Sequence, residues 1–191
     1  MSTDQAFHAR LLDRKTTALV LLDVQAKLVP AMFDPQGVIR NARILLRLAE
    51  SLQIPRILTA QYIKGLGPIA PEIVEAAPEI VPFEKTSFGC FGEPNFLRHL
   101  KLHAPEARSL LISGVECHIC VMQTALGAIE SGYLVHVAAD ATSSRTKANW
   151  EIGLKRMERA GAVISSTEMA VYELLGKSGT TEFKEILSLL K

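Results

Sequence analysis

Short apolar segments alternate along the chain with segments in which apolar residues recur at helical spacing. The apolar segments are bounded by turn residues and predict strands at positions 17–23, 56–60, 80–83, 108–113, 133–139 and 162–164. After the first of them, apolar residues follow one another at helical intervals, at Val38, Ala42, Leu45, Ala49 and Leu52. This alternation is typical of βαβ units and predicts a parallel sheet.

Further helices are predicted from periodicity and from capping residues. They cover positions 95–103, about 120–130, 150–157 and 183–190. Gly161 has the usual C-terminal position of a helix, and Ser165 with Glu168 has the spacing of a capping box that opens the next helix. The Gly/Pro-rich segment 64–71 is predicted to be a loop.

Six strands alternating with helices predict one doubly wound sheet, and such sheets bind ligands at the carboxyl ends of their strands. Candidate side chains follow these ends one after another. They are Asp23 after the first strand, Thr59 and Gln61 around the end of the second, Lys85 after the third, the turn 114–120 after the fourth and Asp140 after the fifth. We therefore expect them along one edge of the sheet.

The composition limits the classes of protein to consider. The chain has 191 residues, of which 48% are hydrophobic and 21% charged, as expected of one globular domain over residues 1–191. Its net charge of +1, without a block of like charges, argues against a nucleic-acid partner. The longest apolar runs, such as 18–22, are far shorter than the ~20 residues of a membrane span, so no membrane association is predicted.

The cysteines and the N-terminal segment predict the compartment. Three cysteines argue against a disulfide scaffold and for a reducing environment. Segment 1–15 contains Asp4 and Asp13 and lacks the continuous apolar core of a secretory signal. We therefore expect a cytoplasmic protein.

Cys120 is a candidate nucleophile because it lies where a strand and a tight turn enter a helix. Free backbone N–H groups and the positive end of the helix are expected to favour its thiolate. Lys85 supplies a cation, and Asp23 is placed to take the thiol proton and later to activate water. Singly, a strand-ending Asp is often a cap, a Lys a surface charge and a Cys part of the core, but together the three form a coherent hydrolase site.

Two other hypotheses remain open from the residues alone. Cys117 and Cys120 form a CxxC pair, which is compatible with thiol–disulfide exchange or redox sensing. The chain could also be a catalytically silent scaffold that keeps the fold and the three residues without turnover. Cys90 is interpreted as structural, and Asp140 as a turn-forming or interface residue.

Three separated motifs point to a family. The segments LLDVQ at 21–25, FEKTSFGCF at 83–91 and SGVECHICVMQTA at 113–125 resemble the isochorismatase-like cysteine hydrolases. TAQYIKGLGPIAPEI at 59–73 and DATSSR at 140–145 are most similar to the isochorismatase-domain-containing group, whose substrates are generally unassigned. The resemblance covers nearly the whole chain.

The resemblance implies a three-layer α/β/α fold with a mainly parallel six-stranded sheet and a triad of Asp23, Lys85 and Cys120. It also implies a cis peptide between Val115 and Glu116, which turns the Glu116 N–H toward the N–H of Cys120 to form an oxyanion hole. The implied reaction is attack of Cys120 on a carbonyl carbon, release of ammonia or an amine, and hydrolysis of the thioester. Relatives form dimers or larger homo-oligomers, and no cofactor is implied.

The resemblance also bears on metals and on the pocket. Metal-dependent relatives carry an Asp-x-His motif after the second strand, whereas residues 59–71 contain neither carboxylate nor imidazole. We therefore predict no metal, and a metal-independent hydrolase of a small amide or related carbonyl compound. The residues that flank the triad motifs are predicted to shape the substrate pocket; they are Gln25, Thr59, Gln61, Phe88, His118 and Ile119.

Overall fold

The computed structural model describes residues 11–190, which form a six-stranded sheet with helices on both faces. The strands are β1 (Thr17–Leu22), β2 (Arg56–Gln61), β3 (Phe83–Lys85), β4 (Ser109–Val115), β5 (Leu134–Ser143) and β6 (Val163–Ser165). All neighbouring pairs are parallel, in the order β3-β2-β1-β4-β5-β6. The predicted doubly wound fold is confirmed. The predicted domain includes residues 1–10 and 191, which lie outside the described residues. The predicted N-terminal segment 1–15 is therefore described only from residue 11 onward.

The central strands β1 and β4 are buried along their whole length because helices cover both faces of the sheet. Successive residues of β1 enter two different apolar clusters, with Leu19 in one layer and Val20 in the other. This division produces the three-layer arrangement. In the sheet, Leu22 lies opposite Thr59 on β2 and Gly114 on β4, so the carboxyl ends of these strands meet at one edge.

The helices lie between successive strands or, for the last two, after β6, and they fill the two outer layers. They are α1 (Pro35–Ser51), α2 (Ile63–Leu66), α3 (Pro71–Ala76), α4 (Phe96–His103), α5 (Met122–Glu130), α6 (Lys147–Arg159), α7 (Thr167–Leu175) and α8 (Thr181–Leu187). Helices α1, α7 and α8 contribute to one apolar cluster, and α4, α5 and α6 to the other. Within residues 11–190, no helix has both the length and the apolar character to cross a membrane.

The segment predicted as a loop contains helical structure. Helix α2 overlaps its start, and α3 begins at its last residue, Pro71, in the first helical position, where the missing N–H of proline has no helical partner to lose. Helices of four and six residues are too short to show apolar periodicity, which is why the pattern did not reveal them. The strand predicted at 80–83 is also displaced and starts at Phe83.

The predicted end of the fifth strand is wrong. Strand β5 continues through Asp140 to Ser143 because its pairing with β4 shifts register between Ile112 and Gly114 and then resumes. Asp140 therefore lies within the strand. Its Oδ1 accepts hydrogen bonds from the backbone N–H and the hydroxyl of Thr167, at 2.7 and 3.0 Å, so its carboxylate holds the start of α7.

The N-cap of α7 is one residue later than predicted. The hydroxyl of Ser166 accepts the N–H of Met169 at 3.1 Å, whereas Ser165 is the last residue of β6. The capping box with Glu168 is therefore not formed by Ser165. The predicted helix is present, and its cap and its first residue are each one position later than predicted.

Candidate active site

Asp23 and Lys85 form a buried ion pair at the carboxyl ends of β1 and β3. The ammonium nitrogen Nζ of Lys85 lies 2.7 Å from Oδ2 of Asp23, and both side chains are shielded from solvent. Asp23 has a backbone φ of 54°, in the left-handed region that residues with a side chain seldom occupy. A buried ion pair is tolerated only when its other hydrogen-bonding groups are satisfied as well, and those of Lys85 are.

The other protons of the Lys85 ammonium are donated to fixed acceptors. Nζ lies 2.6 Å from Oε1 of Gln61, 3.1 Å from the carbonyl of Phe88 and 3.4 Å from that of Ser87. An ammonium group has three protons, and Asp23, Gln61 and Phe88 account for them. Lys85 therefore holds the carboxylate of Asp23 in place and has no proton left to offer a substrate.

A glycine brings the end of β4 against the end of β1. Gly114 has a φ of 112°, and a Cβ atom there would lie 2.0 Å from the carbonyl oxygen of Leu22. Only glycine permits both this conformation and this approach. The turn that follows β4 is thereby placed next to Asp23, the residue after Leu22.

Cys120 lies in that turn, in a short π-helical segment that spans Cys117–Val121 and leads into α5. The carbonyl of Glu116 accepts the N–H groups of Ile119 and Val121, at 3.0 and 3.2 Å, which fixes the backbone on both sides of the cysteine. The side chain of Cys120 lies close enough to the Asp23 carboxylate for the two to interact. The structure thus brings Asp23, Lys85 and Cys120 together.

The surroundings of Cys120 favour the protonated thiol. The residue is 5% exposed, and burial raises the pKa of its thiol to about 12. The negative charge of Asp23 and its hydrogen bond with the thiol also raise this pKa, whereas the charge of Lys85 lowers it. The expectation that the helix start favours the thiolate is therefore wrong in direction, because desolvation of the sulfur dominates.

The peptide bond between Val115 and Glu116 is cis, as the resemblance implies. The Glu116 side chain is buried, and its Oε1 lies 3.2 Å from Nη2 of Arg145, a mostly exposed side chain. A carboxylate and a guanidinium thus lie beside the turn that carries Cys120. The oxyanion hole of the Glu116 and Cys120 N–H groups stays a prediction.

The side-chain amide of Gln25 is occupied by hydrogen bonds to the backbone, and its place in the substrate pocket stays a prediction. Nε2 donates to the carbonyls of Gln61 and Gly67, at 3.0 and 2.6 Å, and Oε1 accepts the N–H of Gln61 at 2.8 Å. The side chain is fully buried. Gln25 therefore ties the segment after β2 to the site.

Thr59 and Gln61 are also buried, and they contact the triad itself. The Thr59 hydroxyl donates to Oδ1 of Asp23 at 2.6 Å, while Nε2 of Gln61 donates to the carbonyl of Thr86 at 2.7 Å. These polar groups form hydrogen bonds inside the site, and the predicted place of both residues in the substrate pocket stays a prediction. Across the described residues 11–190, no group of three or more His, Cys, Asp or Glu side chains is arranged to hold a metal ion.

The other three predicted pocket residues have surface facing solvent near the triad. Phe88 is 56% exposed, and its carbonyl accepts a hydrogen bond from Lys85. His118 and Ile119 are half-buried and directly precede Cys120 in the turn, and Nδ1 of His118 lies 2.9 Å from the hydroxyl of Ser144. Their positions are compatible with the predicted role in the pocket.

Cys117 and Cys120 have different neighbours despite their CxxC spacing. The thiol of Cys117 lies 3.8 Å from the carbonyl of Trp150 on α6, and burial raises its pKa to about 12. The thiol of Cys120 instead interacts with Asp23. Cys90, Cys117 and Cys120 are all free thiols. The two CxxC cysteines therefore form no disulfide in the structure, and each contacts a different neighbour.

Two residues near the site were not identified from the sequence. The hydroxyl of Thr124 accepts the N–H of Cys90 at 3.0 Å. Thr124 lies four positions after Cys120, and this helical spacing was the signal that could have revealed it. Arg145 contacts Glu116 across two loops, a pairing for which the sequence contains no local signal.

Residues 17–169 match the family model described as the isochorismatase domain. The chain belongs to the isochorismatase family. Its relatives include the secreted isochorismatase effector Isc1 of Phytophthora sojae, 36% identical over 179 residues that cover 92% of this chain and 85% of the relative. Isochorismatase domain-containing protein 2 of Bos taurus is 36% identical over 176 residues, covering 92% of this chain and 83% of the relative. The family resemblance drawn from the motifs is confirmed.

Solved structures share the fold of this isochorismatase-family chain. The structure of MAR1 ribonuclease from Caenorhabditis elegans matches with a TM-score of 0.86 and 34% identity, covering 94% of this chain and 92% of that chain. The YcaC gene product of Escherichia coli, an octameric hydrolase of unknown specificity, matches with a TM-score of 0.86 and 27% identity, covering 94% and 90%. Family and neighbours together support a hydrolase.

Proposed function

We propose that this isochorismatase-family protein is a metal-independent cysteine hydrolase that cleaves the C–N bond of a small amide or related carbonyl compound. Cys120 is the nucleophile, Asp23 the general base and acid, and Lys85 the group that holds Asp23. The observation that supports this most is the buried contact of the Asp23 carboxylate with both the Lys85 ammonium and the Cys120 thiol. A carboxylate next to a thiol is the arrangement that proton transfer from sulfur requires.

The first half of the reaction forms a thioester. The thiol proton passes to the Asp23 carboxylate as sulfur attacks the carbonyl carbon, since burial keeps the pKa of Cys120 at about 12 and the resting group protonated. The backbone N–H groups of Glu116 and Cys120 stabilise the oxyanion. The C–N bond then breaks, and the leaving nitrogen takes the proton from Asp23 and departs as ammonia or an amine.

The second half returns the enzyme to its starting state. Asp23 takes a proton from water, whose oxygen attacks the thioester carbon. The C–S bond breaks, sulfur recovers the proton from Asp23, and the carboxylic acid is released. Lys85 donates to Asp23, Gln61 and Phe88 throughout and transfers no proton.

The site favours a small and neutral substrate. Cys120 is almost completely buried, so only a narrow group reaches the sulfur, and Phe88, His118 and Ile119 provide the surface around it. The charges of Asp23 and Lys85 cancel, which leaves no net charge at the nucleophile to attract an ion. Small uncharged amides and ureides match these conditions.

The test is a panel of small amides, ureides, esters and vinyl ethers, assayed with the wild type and with Cys120→Ala. We expect turnover of at least one amide or ureide by the wild type and none by Cys120→Ala. Cys117→Ser is the matched control, and it keeps most of the activity because its thiol faces Trp150. Loss of activity in Cys117→Ser as well as in Cys120→Ala would favour the redox hypothesis instead, because disulfide exchange needs both thiols. A wild type that turns over nothing would favour the silent scaffold.

Three further proposals concern the assembly, the compartment and the partners of the protein. We propose a homo-oligomer, supported by the octameric E. coli structure, and light scattering of the purified protein tests it. A cytoplasmic location is proposed from the three free thiols, although the Phytophthora relative is a secreted effector, and cell fractionation tests it. Because the net charge is only +1, we propose no nucleic-acid partner; RNA cleavage by the wild type but not by Cys120→Ala would contradict this.

A further inference from the structure

Thr59 places a hydrogen bond on the oxygen of Asp23 that Lys85 does not hold. Its hydroxyl donates to Oδ1 at 2.6 Å, whereas the ammonium of Lys85 donates to Oδ2 at 2.7 Å. Thr59 and Asp23 are both fully buried, so water does not compete for these contacts. A carboxylate held by a different donor on each oxygen cannot rotate about its Cβ–Cγ bond without losing one of the two.

The buried thiol of Cys90 lies next to Thr59. The backbone N–H of Cys90 donates to the hydroxyl of Thr124 at 3.0 Å, and its buried thiol interacts with the hydroxyls of Thr124 and Thr59. Burial raises the pKa of the Cys90 thiol to about 12, so the group stays protonated and can donate. An ionised carboxylate only accepts, so the single hydroxyl proton of Thr59 is donated to Asp23.

From this geometry we propose that Thr59 is a positioning residue for the reaction, fixing the Asp23 carboxylate against Cys120, with Cys90 as its support. The inference rests on the proposed function, in which Asp23 receives the thiol proton. It adds a role for Thr59 to its predicted place in the substrate pocket and replaces the purely structural interpretation of Cys90. Among the described residues, the titratable groups that face Asp23 are Lys85 from β3, Cys120 from the turn after β4, and Cys90.

The substitution Thr59→Val keeps the shape of the side chain and removes the donor. Asp23 then loses one of its two anchors, and we expect the hydrolysis rate to fall by about 10- to 100-fold, as for the loss of a hydrogen bond to a charged group. Thr59→Ser keeps the hydroxyl and should recover most of the rate. Cys90→Ala should lower it by only a few fold, because the direct contact with Asp23 remains.

Alkylation of Cys120 tests the proposal without a known substrate. Iodoacetamide is the probe, and peptide mass spectrometry measures the rate at Cys120 as a function of pH. In Thr59→Val, no hydroxyl shares the negative charge of Asp23. The carboxylate then holds the thiol proton of Cys120 more strongly, so the pH profile of the alkylation rate moves to higher pH. Thr59→Ser should follow the wild type. The proposal is wrong if the pH profile of Thr59→Val equals that of the wild type. It is also wrong if the profile of Thr59→Ser is displaced as much as that of Thr59→Val.

A second pair of variants serves if Thr59→Val does not fold. Cys90→Ala removes the thiol next to Thr59 and should displace the pH profile of alkylation in the same direction by less, whereas Cys90→Ser keeps a hydrogen-bonding group there and should not displace it. Equal pH profiles of alkylation for Cys90→Ala and Cys90→Ser would overturn the proposal. Failure of this proposal can be told apart from failure of the proposed function. If Cys120→Ala is inactive while the Thr59 and Cys90 variants have the pH profile of the wild type, the hydrolase assignment is kept and only this inference is wrong.

Discussion

The ammonium of Lys85 lies 2.7 Å from the carboxylate of Asp23, and neither side chain has contact with solvent. Because Lys85 also donates to Gln61 and to the carbonyl of Phe88, it supports the base and does not act on sulfur directly. The Cys120 thiol in turn interacts with the carboxylate so held. The stability of the fold and the chemistry of the site are therefore linked through one carboxylate.

Lys85→Met should destabilise the protein strongly, because it leaves the Asp23 carboxylate buried without a counter-charge. We expect a loss of about 3–5 kcal/mol in the free energy of unfolding, measured with urea. Adding Asp23→Asn to Lys85→Met should recover much of this loss. Lys64→Met, at an exposed lysine, is the control and should be nearly neutral. A single Lys85→Met variant as stable as the wild type would contradict the account.

Asp23→Asn should have opposite effects on alkylation and on hydrolysis. The Asp23 charge raises the pKa of Cys120, so its removal should speed alkylation by iodoacetamide at neutral pH by roughly tenfold or more. Hydrolysis should nevertheless be lost, because no group remains to carry the proton. Asp13→Asn, at an exposed position, should alter neither rate. Slower alkylation in Asp23→Asn would show that the carboxylate activates the resting thiol.

Gly114→Ala should disrupt the approach of β4 to β1. The added Cβ would lie 2.0 Å from the carbonyl oxygen of Leu22, in a backbone conformation already unfavourable for alanine. Gly132→Ala is the matched control, since Gly132 also has a positive φ but nothing lies within 4 Å of its Cβ position. We expect Gly114→Ala to be about 1–3 kcal/mol less stable than Gly132→Ala in urea unfolding. Equal stabilities would contradict the close approach.

The buried thiols should make the fold less stable in alkaline solution. Burial raises the pKa of Cys90, Cys117 and Cys120 from 9.0 to about 12, so above pH 9 the unfolded chain loses thiol protons that the folded chain keeps. The unfolded state then binds fewer protons, and stability falls as pH rises, by at most about 1.4 kcal/mol per pH unit for each cysteine. Urea unfolding at several pH values measures the slope, which Cys117→Ala should reduce. An unchanged slope would contradict the burial argument.

The position of Asp23 could be predicted because an apolar run stops there and parallel strands end at one edge of the sheet. Lys85 was also placed at the end of the third strand from the pattern, although β3 has only three residues and begins at Phe83, later than predicted. The parallel sheet itself was predictable from alternating patterns. Helices α2 and α3 were not, because four and six residues are too few for the helical period to repeat recognisably.

The roles of Gln25, Thr59 and Gln61 could not be predicted from their nearness to the triad motifs. Their side-chain directions depend on the register between β1 and β2 and on loops that meet only in the fold. The pKa of Cys120 was misjudged for a related reason. A sequence shows that a helix begins near the residue, but the depth of burial that raises its pKa depends on tertiary packing.

The central claim is that Cys120 carries the acyl group of the substrate during turnover. The most direct measurement is acid quenching of the protein during hydrolysis of an amide from the panel, followed by peptide mass mapping. The account predicts an acyl group on the Cys120 peptide of the wild type and none on Asp23→Asn, with Cys90 and Cys117 unmodified in both. Hydrolysis that continues in Cys120→Ala, or an acyl group on another residue, would contradict it.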